Sequence, residues 1–200
     1  MENNAQKGHP TGLWYLFGTE MWERFGYYLM LGIFSLYMID GWNNGGMGFD
    51  AGKKSDIYGT YLGLVYLTPF IGGLLADRIL GYRRSIIMGG LMMSAGYFCL
   101  SIHNETAFYV ALMLIILGNG FFKPNISSMV GQLYPAGDRR IDAAYTIFYM
   151  GINTGGALGP IVCGFFGDTG NNGDFKWAFL AGGVAMLLSV ITQMIFQKKY

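Results

Sequence analysis

The sequence predicts an all-α membrane protein, a bundle of six transmembrane helices. Composition is the first reason: only 12% of the 200 residues are charged, while 52% are hydrophobic and 16% aromatic. Glycine is the second. There are 32 glycines, more than twice the soluble average of about 7%, and they fall inside apolar runs, where close helix packing in lipid explains them. The third is length, because six mostly apolar stretches reach or approach the roughly 20 residues that a helix needs to cross a bilayer.

The spans follow in order. Residues 13–39 form the first and carry an internal cluster of charges. Residues 57–76 form the second, and residues 85–102 a slightly short third. Residues 108–133, with Lys123 and Pro124, form the fourth; 143–166 and 177–196 form the fifth and sixth. Residues 1–12 are a polar tail with Pro10 and Gly12 and lack the charged-then-apolar pattern of a cleaved signal peptide. Connections are short and polar except the glycine- and asparagine-rich stretch 40–56. Nothing marks a second domain, so residues 13–200 read as one bundle.

Lys/Arg asymmetry gives the orientation. With the N-terminus in the cytoplasm, the inner segments hold Lys7, Arg78, Arg83, Arg84, Arg139, Arg140, Lys198 and Lys199, against Lys53, Lys54 and Lys176 outside. Both termini are therefore expected on the cytoplasmic side of a plasma or bacterial inner membrane.

Several function classes are excluded. A net charge of +1 offers no nucleic-acid footprint. Cys99 and Cys163 lie in apolar surroundings and read as small buried hydrophobes, not a disulfide. His9 and His103 sit in a tail and a loop, and no metal-ligand cluster, nucleophile elbow or phosphate loop appears. Neither an enzyme nor a bound cofactor or metal is expected.

Charges within the spans point to function. Ionisable groups near the bilayer centre cost roughly 2.5–3.5 kcal/mol each on insertion scales, so they face a protein interior or a water-filled cavity and tend to pair. The first span holds Glu20, Glu23 and Arg24, and the fourth holds Lys123. Two acids and two bases neutralise one another if those helices meet. Glu20 and Arg24 are spaced for direct contact one turn apart. With Glu23, Tyr27, Tyr28 and Leu31 they share one broad helix face. Phe17, Met21 and Trp22 lie opposite, which predicts a lipid-facing side for this helix. Protonation of a paired carboxylate here would release its basic partner, the makings of a switch.

Only the first and fourth spans carry central charges, as expected for two three-helix units, 1–103 and 104–200. Small-xxx-small rows at Gly59/Gly63 and at Gly151/Gly155/Gly159 predict close helix crossings.

Four stretches carry a family resemblance. Glu20-Met-Trp-Glu23-Arg24-Phe25-Gly-Tyr27-Tyr28 resembles the ExxERFxYY motif of the proton-coupled oligopeptide transporters, a family of the major facilitator superfamily. Gly72 through Ala76-Asp77-Arg78-Ile79-Leu80-Gly81-Tyr82-Arg83-Arg84 resembles their loop motif between the second and third helices. Phe122-Lys123-Pro124-Asn125 resembles the family's lysine site, and Phe148-Tyr-Met-Gly-Ile-Asn153-Thr-Gly155 its second signature. The order is the family's and the matches span nearly the whole chain.

The resemblance implies the N-terminal half of a major facilitator fold and symport of di- and tripeptides with protons. It implies that Glu20, Glu23 and Arg24 belong to the proton-coupling network, with Lys123 as salt-bridge partner. It implies that Tyr27, Tyr28, Tyr66 and Asn153 line the peptide site. Asp77, Arg78, Arg83 and Arg84 are implied as a gating cluster. A second six-helix half, on the same or another chain, is implied as partner, because the pathway runs between halves and this chain has one wall of it. Leu31 departs from the pattern, since many members carry arginine there. A non-transporting peptide-binding receptor, or an inactive fragment, is the alternative.

Overall fold

In a computed structural model the chain is a bundle of six long helices, with residues 8–167 and 169–199 described. They are α1 (Thr11–Ile39), α2 (Ala51–Leu75), α3 (Tyr82–Leu100), α4 (Glu105–Gln132), α5 (Ile141–Phe166) and α6 (Phe175–Lys199). All six predicted spans appear. Lys7 and the side chains of Lys198 and Lys199, used above for orientation, lie outside the described residues. Three stretches, Ala51–Leu80, Glu105–Gln132 and Phe175–Gln197, are apolar and long enough to cross a membrane by composition alone. The other three helices are diluted by their own chemistry: α1 by Glu20, Glu23 and Arg24, α3 by Arg83 and Arg84, α5 by Asn153, Thr154 and glycine.

The predicted loop 40–56 is shorter than expected, because α2 starts at Ala51. Asp50 caps it, accepting a hydrogen bond from the Lys53 amide at 2.9 Å, which offsets the polar character of that first turn. The remaining loop is pinned. Met47 and Phe49 amides donate to Tyr37 and Met38 carbonyls at 2.8 Å, and the Gly173 amide donates to Asn44 O at 2.8 Å. His103 Nε2 lies 2.8 Å from Gly46 O. All three connections at this end of the bundle are therefore tied together. Gly45 adopts φ +93° there, a conformation that suits glycine.

At the other end, α2 widens into a π-helical turn, Ala76–Leu80, before Gly81 reverses the chain at φ 74°. π-turns are rare and cluster at functional positions.

Helix order in space follows a swap between the two halves of the sequence. α1 packs between α5 and α6, α4 packs between α2 and α3, and α3 meets α6. Exchanging the units α1–α3 and α4–α6 leaves this pattern unchanged, as nested three-helix repeats require. Glycine sets the crossings. A methyl on Gly159 would stand 2.8 Å from Phe25 O, one on Gly151 3.0 Å from Phe17 O, and one on Gly155 would press on Met21 O. Three glycines one turn apart thus ride over three carbonyls one turn apart.

This overturns one expectation: the Phe17–Met21 side of α1 lies against α5, not lipid, because a glycine row can approach a backbone that a larger residue could not. A second correction concerns Gly59 and Gly63, around which there is open space within 4 Å. The tight approaches on α2 and α3 are instead Gly72 against Gly120, and Gly89 against Gly118.

The proline inside α2 is compensated. Pro69 in α2 leaves the Val65 carbonyl without its helical donor; Asn119 of α4, buried, donates Nδ2 to that carbonyl at 3.0 Å. Thr68 returns a bond from α2 to Ile116 O at 3.0 Å. Ser94 and Ser189 bond across to Gly183 O and Thr19 O, fixing α3 on α6 and α6 on α1. The two cysteines form no disulfide, and Cys163 is buried.

α2 and α5 bury few side chains. Tyr66, Leu67, Phe70 and Ile71 on α2, and Tyr149, Met150, Leu158 and Ile161 on α5, are exposed apolar groups.

Candidate transport site

The charged stripe of α1 is buried. Glu20, Glu23, Arg24 and Tyr27 are all under one-tenth exposed. Arg24 serves both acids. Its Nη2 donates to Glu23 Oε1 at 2.5 Å and its Nε to Glu23 Oε2. The same Nε lies 3.3 Å from Glu20 Oε1. A guanidinium fork matches a carboxylate in this two-bond manner, and charge-assisted bonds are the strong ones. Glu20 Oε2 is buried without a hydrogen-bond partner among the described residues, so Glu20 is the less satisfied acid.

Aromatic groups continue the stripe. The Arg24 guanidinium carbon lies 5.0 Å from the Tyr27 ring centroid, within cation–π range. Tyr27 and Tyr28 meet edge to face at 5.4 Å. Tyr28 leans on Gly156 of α5, where a methyl would stand 3.2 Å from its ring. Asn153, exposed, sits one turn earlier on α5.

Lys123 departs from the expected pairing. It forms no ion pair within 4.0 Å among the described residues; its ammonium lies 5.5 Å from the Tyr66 ring centroid instead. It remains within electrostatic reach of Arg24, Glu23 and Glu20. The reason is geometric: Arg24 already occupies both carboxylates from their own helix, and Lys123, half-buried on α4, faces the exposed side of α2. Tyr66 is 72% exposed. The structure thus brings Glu20, Glu23, Arg24, Tyr27 and Tyr28 together, and Lys123 with Tyr66. Asn153 stands on the rim beside Tyr28.

Asp77 and Arg78 lie in the π-turn, Arg83 and Arg84 open α3 just after it, and all four are exposed. Asp77 engages the Tyr82 hydroxyl, which raises the pKa of that phenol above its usual 10.0. The Arg83 carbonyl accepts from Gln197 of α6 at 3.0 Å, and its guanidinium lies 6.0 Å from the Phe196 ring.

Sequence reasoning missed other polar groups. Tyr61 and Tyr97 are buried, their hydroxyls without a hydrogen-bond partner among the described residues and in electrostatic range of the Glu23–Arg24 pair; among apolar neighbours they read as core tyrosines. Arg140 Nη2 pairs with Asp138 at 2.6 Å, and Nη1 donates to Gly8 O at 2.6 Å. His9 Nδ1 lies 2.8 Å from the Tyr134 hydroxyl. Together these tether the segment before α1 to the α4–α5 connection. A groove of about 500 Å³ between α2 and α4, lined by Asp56, Tyr61, Leu64, Tyr109, Met113 and Ile116, is mostly apolar and contains none of Glu20, Glu23, Arg24 and Lys123. Among the described residues no group of three His, Cys, Asp or Glu side chains is placed to hold a metal.

Comparison with known proteins places this arrangement. The chain is 44% identical to the uncharacterized transporter YclF of Bacillus subtilis (strain 168), covering 96% of this chain and 39% of that protein. It is 40% identical to a di-/tripeptide transporter of Lactococcus lactis subsp. lactis (strain IL1403), covering 92% of this chain and 37% of the relative. A crystal structure of a peptide transporter POT in complex with sulfate superposes with a TM-score of 0.91 at 42% identity, covering all of this chain and 40% of that one. A mutant of a peptide transporter POT in complex with alafosfalin superposes equally well at 44% identity. The chain thus spans about two fifths of the length of these relatives. A family model described as the POT family matches residues 83–200, more than half the chain, and this chain belongs to the POT family.

Proposed function

We propose that this chain forms the N-terminal six-helix half of a proton-coupled symporter of di- and tripeptides, working by alternating access with a second six-helix half. The observation that carries the reading is the burial of Glu20, Glu23 and Arg24 as one ion-paired group, with half-buried Lys123 and Tyr28 and exposed Tyr66 and Asn153 on the same helices and their neighbours. A relative is named a di-/tripeptide transporter, which supports the substrate class.

Electrostatics supply the mechanism. Glu20, Glu23, Arg24 and Lys123 together carry no net charge when all are ionised. One proton on Glu20 or Glu23 leaves the group positive and loosens that acid's hold on Arg24. The site then favours the carboxylate end of a peptide, received by Lys123 and Arg24. Asn153 both donates to and accepts from a peptide bond, and Tyr27, Tyr28 and Tyr66 offer apolar walls with polar tips. Release of the proton on the other side restores the internal pairing and expels the carboxylate. Coupling to membrane potential is worth about 2.3 kcal/mol per charge per 100 mV.

The exposed apolar faces of α2 and α5 are the seats of the second half, since each is unpaired within this bundle. Asp77, Arg78, Arg83 and Arg84 form a charged gate at the π-turn, on the cytoplasmic side. Both ends of the chain lie in the cytoplasm, an orientation that the Lys/Arg asymmetry supports, and the protein resides in a plasma or bacterial inner membrane.

The test is uptake of a labelled dipeptide into proteoliposomes under an inward proton gradient, with Glu20→Gln and Glu23→Gln compared with wild type. Loss of gradient-driven uptake in either variant is the expected result. Full uptake in both variants would overturn the coupling role.

A further inference from the structure

Two phenols stand behind the ion-paired group. Tyr97 of α3 is 0% exposed and Tyr61 of α2 is 1% exposed. Neither hydroxyl has a hydrogen-bond partner among the described residues. Buried hydroxyls are normally bonded, so a pair of orphans calls for a reason. Burying them idle is costly, and phenylalanine would fill the same space without that cost.

Their placement supplies the reason. Tyr97 lies where α1 crosses α6: a methyl on Gly26 would stand 3.6 Å from its ring, and a methyl on Gly182 3.8 Å. Gly26 is one turn beyond Glu23 on α1. The Tyr61 ring is anchored on Phe34 of α1, with centroids 5.3 Å apart. Both phenols lie in electrostatic range of Glu23 and Arg24 and of each other.

We propose that Tyr97 and Tyr61 are positioning residues that receive Glu23 when it is protonated and parts from Arg24. The inference rests on the coupling reading above. In the paired state the Glu23 oxygens are filled by Arg24, and the phenols wait. When Glu23 takes up a proton, its oxygens lose the charge-assisted bonds. In a site closed to bulk water each phenol then donates its O–H to a carboxyl oxygen, and the protonated state is stabilised by groups already in place. The titratable groups within electrostatic reach of Glu23 are Glu20, Arg24 and Tyr27 on α1, Tyr61 on α2, Tyr97 on α3 and Lys123 on α4. Of these, Tyr61 and Tyr97 are the phenols whose hydroxyls are buried without a hydrogen-bond partner among the described residues. α5 between Ala143 and Phe166, and α6 between Trp177 and Gln197, contain no Asp, Glu, His, Lys or Arg.

Infrared difference spectra between acidic and neutral samples of the protein in lipid test this without requiring transport. A carboxyl C=O band that disappears in Glu23→Gln belongs to Glu23. Its position reports hydrogen-bond donors, so Tyr97→Phe and Tyr61→Phe are expected to shift it to higher wavenumber, and the double variant further. Absence of a Glu23 band, or a band unmoved in both variants, overturns the proposal. In proteoliposomes Tyr97→Phe should lower proton-driven uptake by roughly tenfold, the worth of a hydrogen bond to the acid. More acid outside should bring Tyr97→Phe uptake back toward the wild-type level, because a less favoured protonated state needs more protons to fill. A loss that acid does not restore would mean a structural role and would also overturn it. If wild type itself moves no peptide, the transport reading fails while the infrared result still decides the role of the phenols.

Discussion

Arg24 Nε lies 3.3 Å from Glu20 Oε1, one turn away on the same helix, while the rest of its fork holds Glu23. One base thus neutralises two buried acids. Removing it leaves both uncompensated, so Arg24→Gln should cost about 3–5 kcal/mol, the toll of breaking a buried pair. Lys123→Gln removes only a ring contact and should cost about 1 kcal/mol or less. Thermal unfolding in detergent separates the two; equal losses would contradict the pairing described.

Glycines on two helices should respond with opposite sign. Gly159→Ala drives a methyl against Phe25 and Leu29 backbone atoms and should destabilise by about 1–3 kcal/mol. Gly63→Ala meets open space and should stabilise the helix by about 0.5–1 kcal/mol. Melting temperatures of the two variants decide it, and a loss at Gly63 would point to an unseen contact.

Asn119 and Pro69 should be coupled. Asn119→Leu orphans the Val65 carbonyl that Pro69 leaves free, and should cost about 1–2 kcal/mol in a membrane helix pair. With Pro69→Ala in place, the restored amide serves that carbonyl and the cost should shrink toward zero. A double-mutant cycle reads the difference; additive effects would contradict the compensation.

The tether before α1 carries a pH signature. The Arg140 side chain holds the Asp138 carboxyl from its ordinary 3.8 down to about 2. A depressed acid contributes its full stabilisation above its unfolded pKa and loses it as pH falls through the folded value. The difference in thermal stability between wild type and Asp138→Asn, followed in detergent, should therefore hold from neutral pH to 3.8 and vanish only as pH falls toward about 2. No difference at neutral pH would contradict the tether.

Much of this was legible in the sequence because membrane helices obey local rules. Apolar length marked every span, and i, i+4 spacing marked the Glu20–Arg24 contact before any neighbour was known. α2 began earlier than read because Asp50 caps a polar turn that looks like loop. Which glycines touch is a property of two helices at once. The Gly151–Gly155–Gly159 row could be read on one strand of sequence, whereas Gly89 with Gly118 could not. The same limit hid Asn119, whose role exists only opposite Pro69, and left Lys123 assigned to acids that Arg24 had already taken.

Accumulation of a labelled dipeptide tests the central claim most directly. Proteoliposomes containing the protein, acidic outside, should concentrate the peptide above its external level and release it when a protonophore collapses the gradient. Peptide that binds or equilibrates without rising above the external concentration would contradict proton-coupled transport.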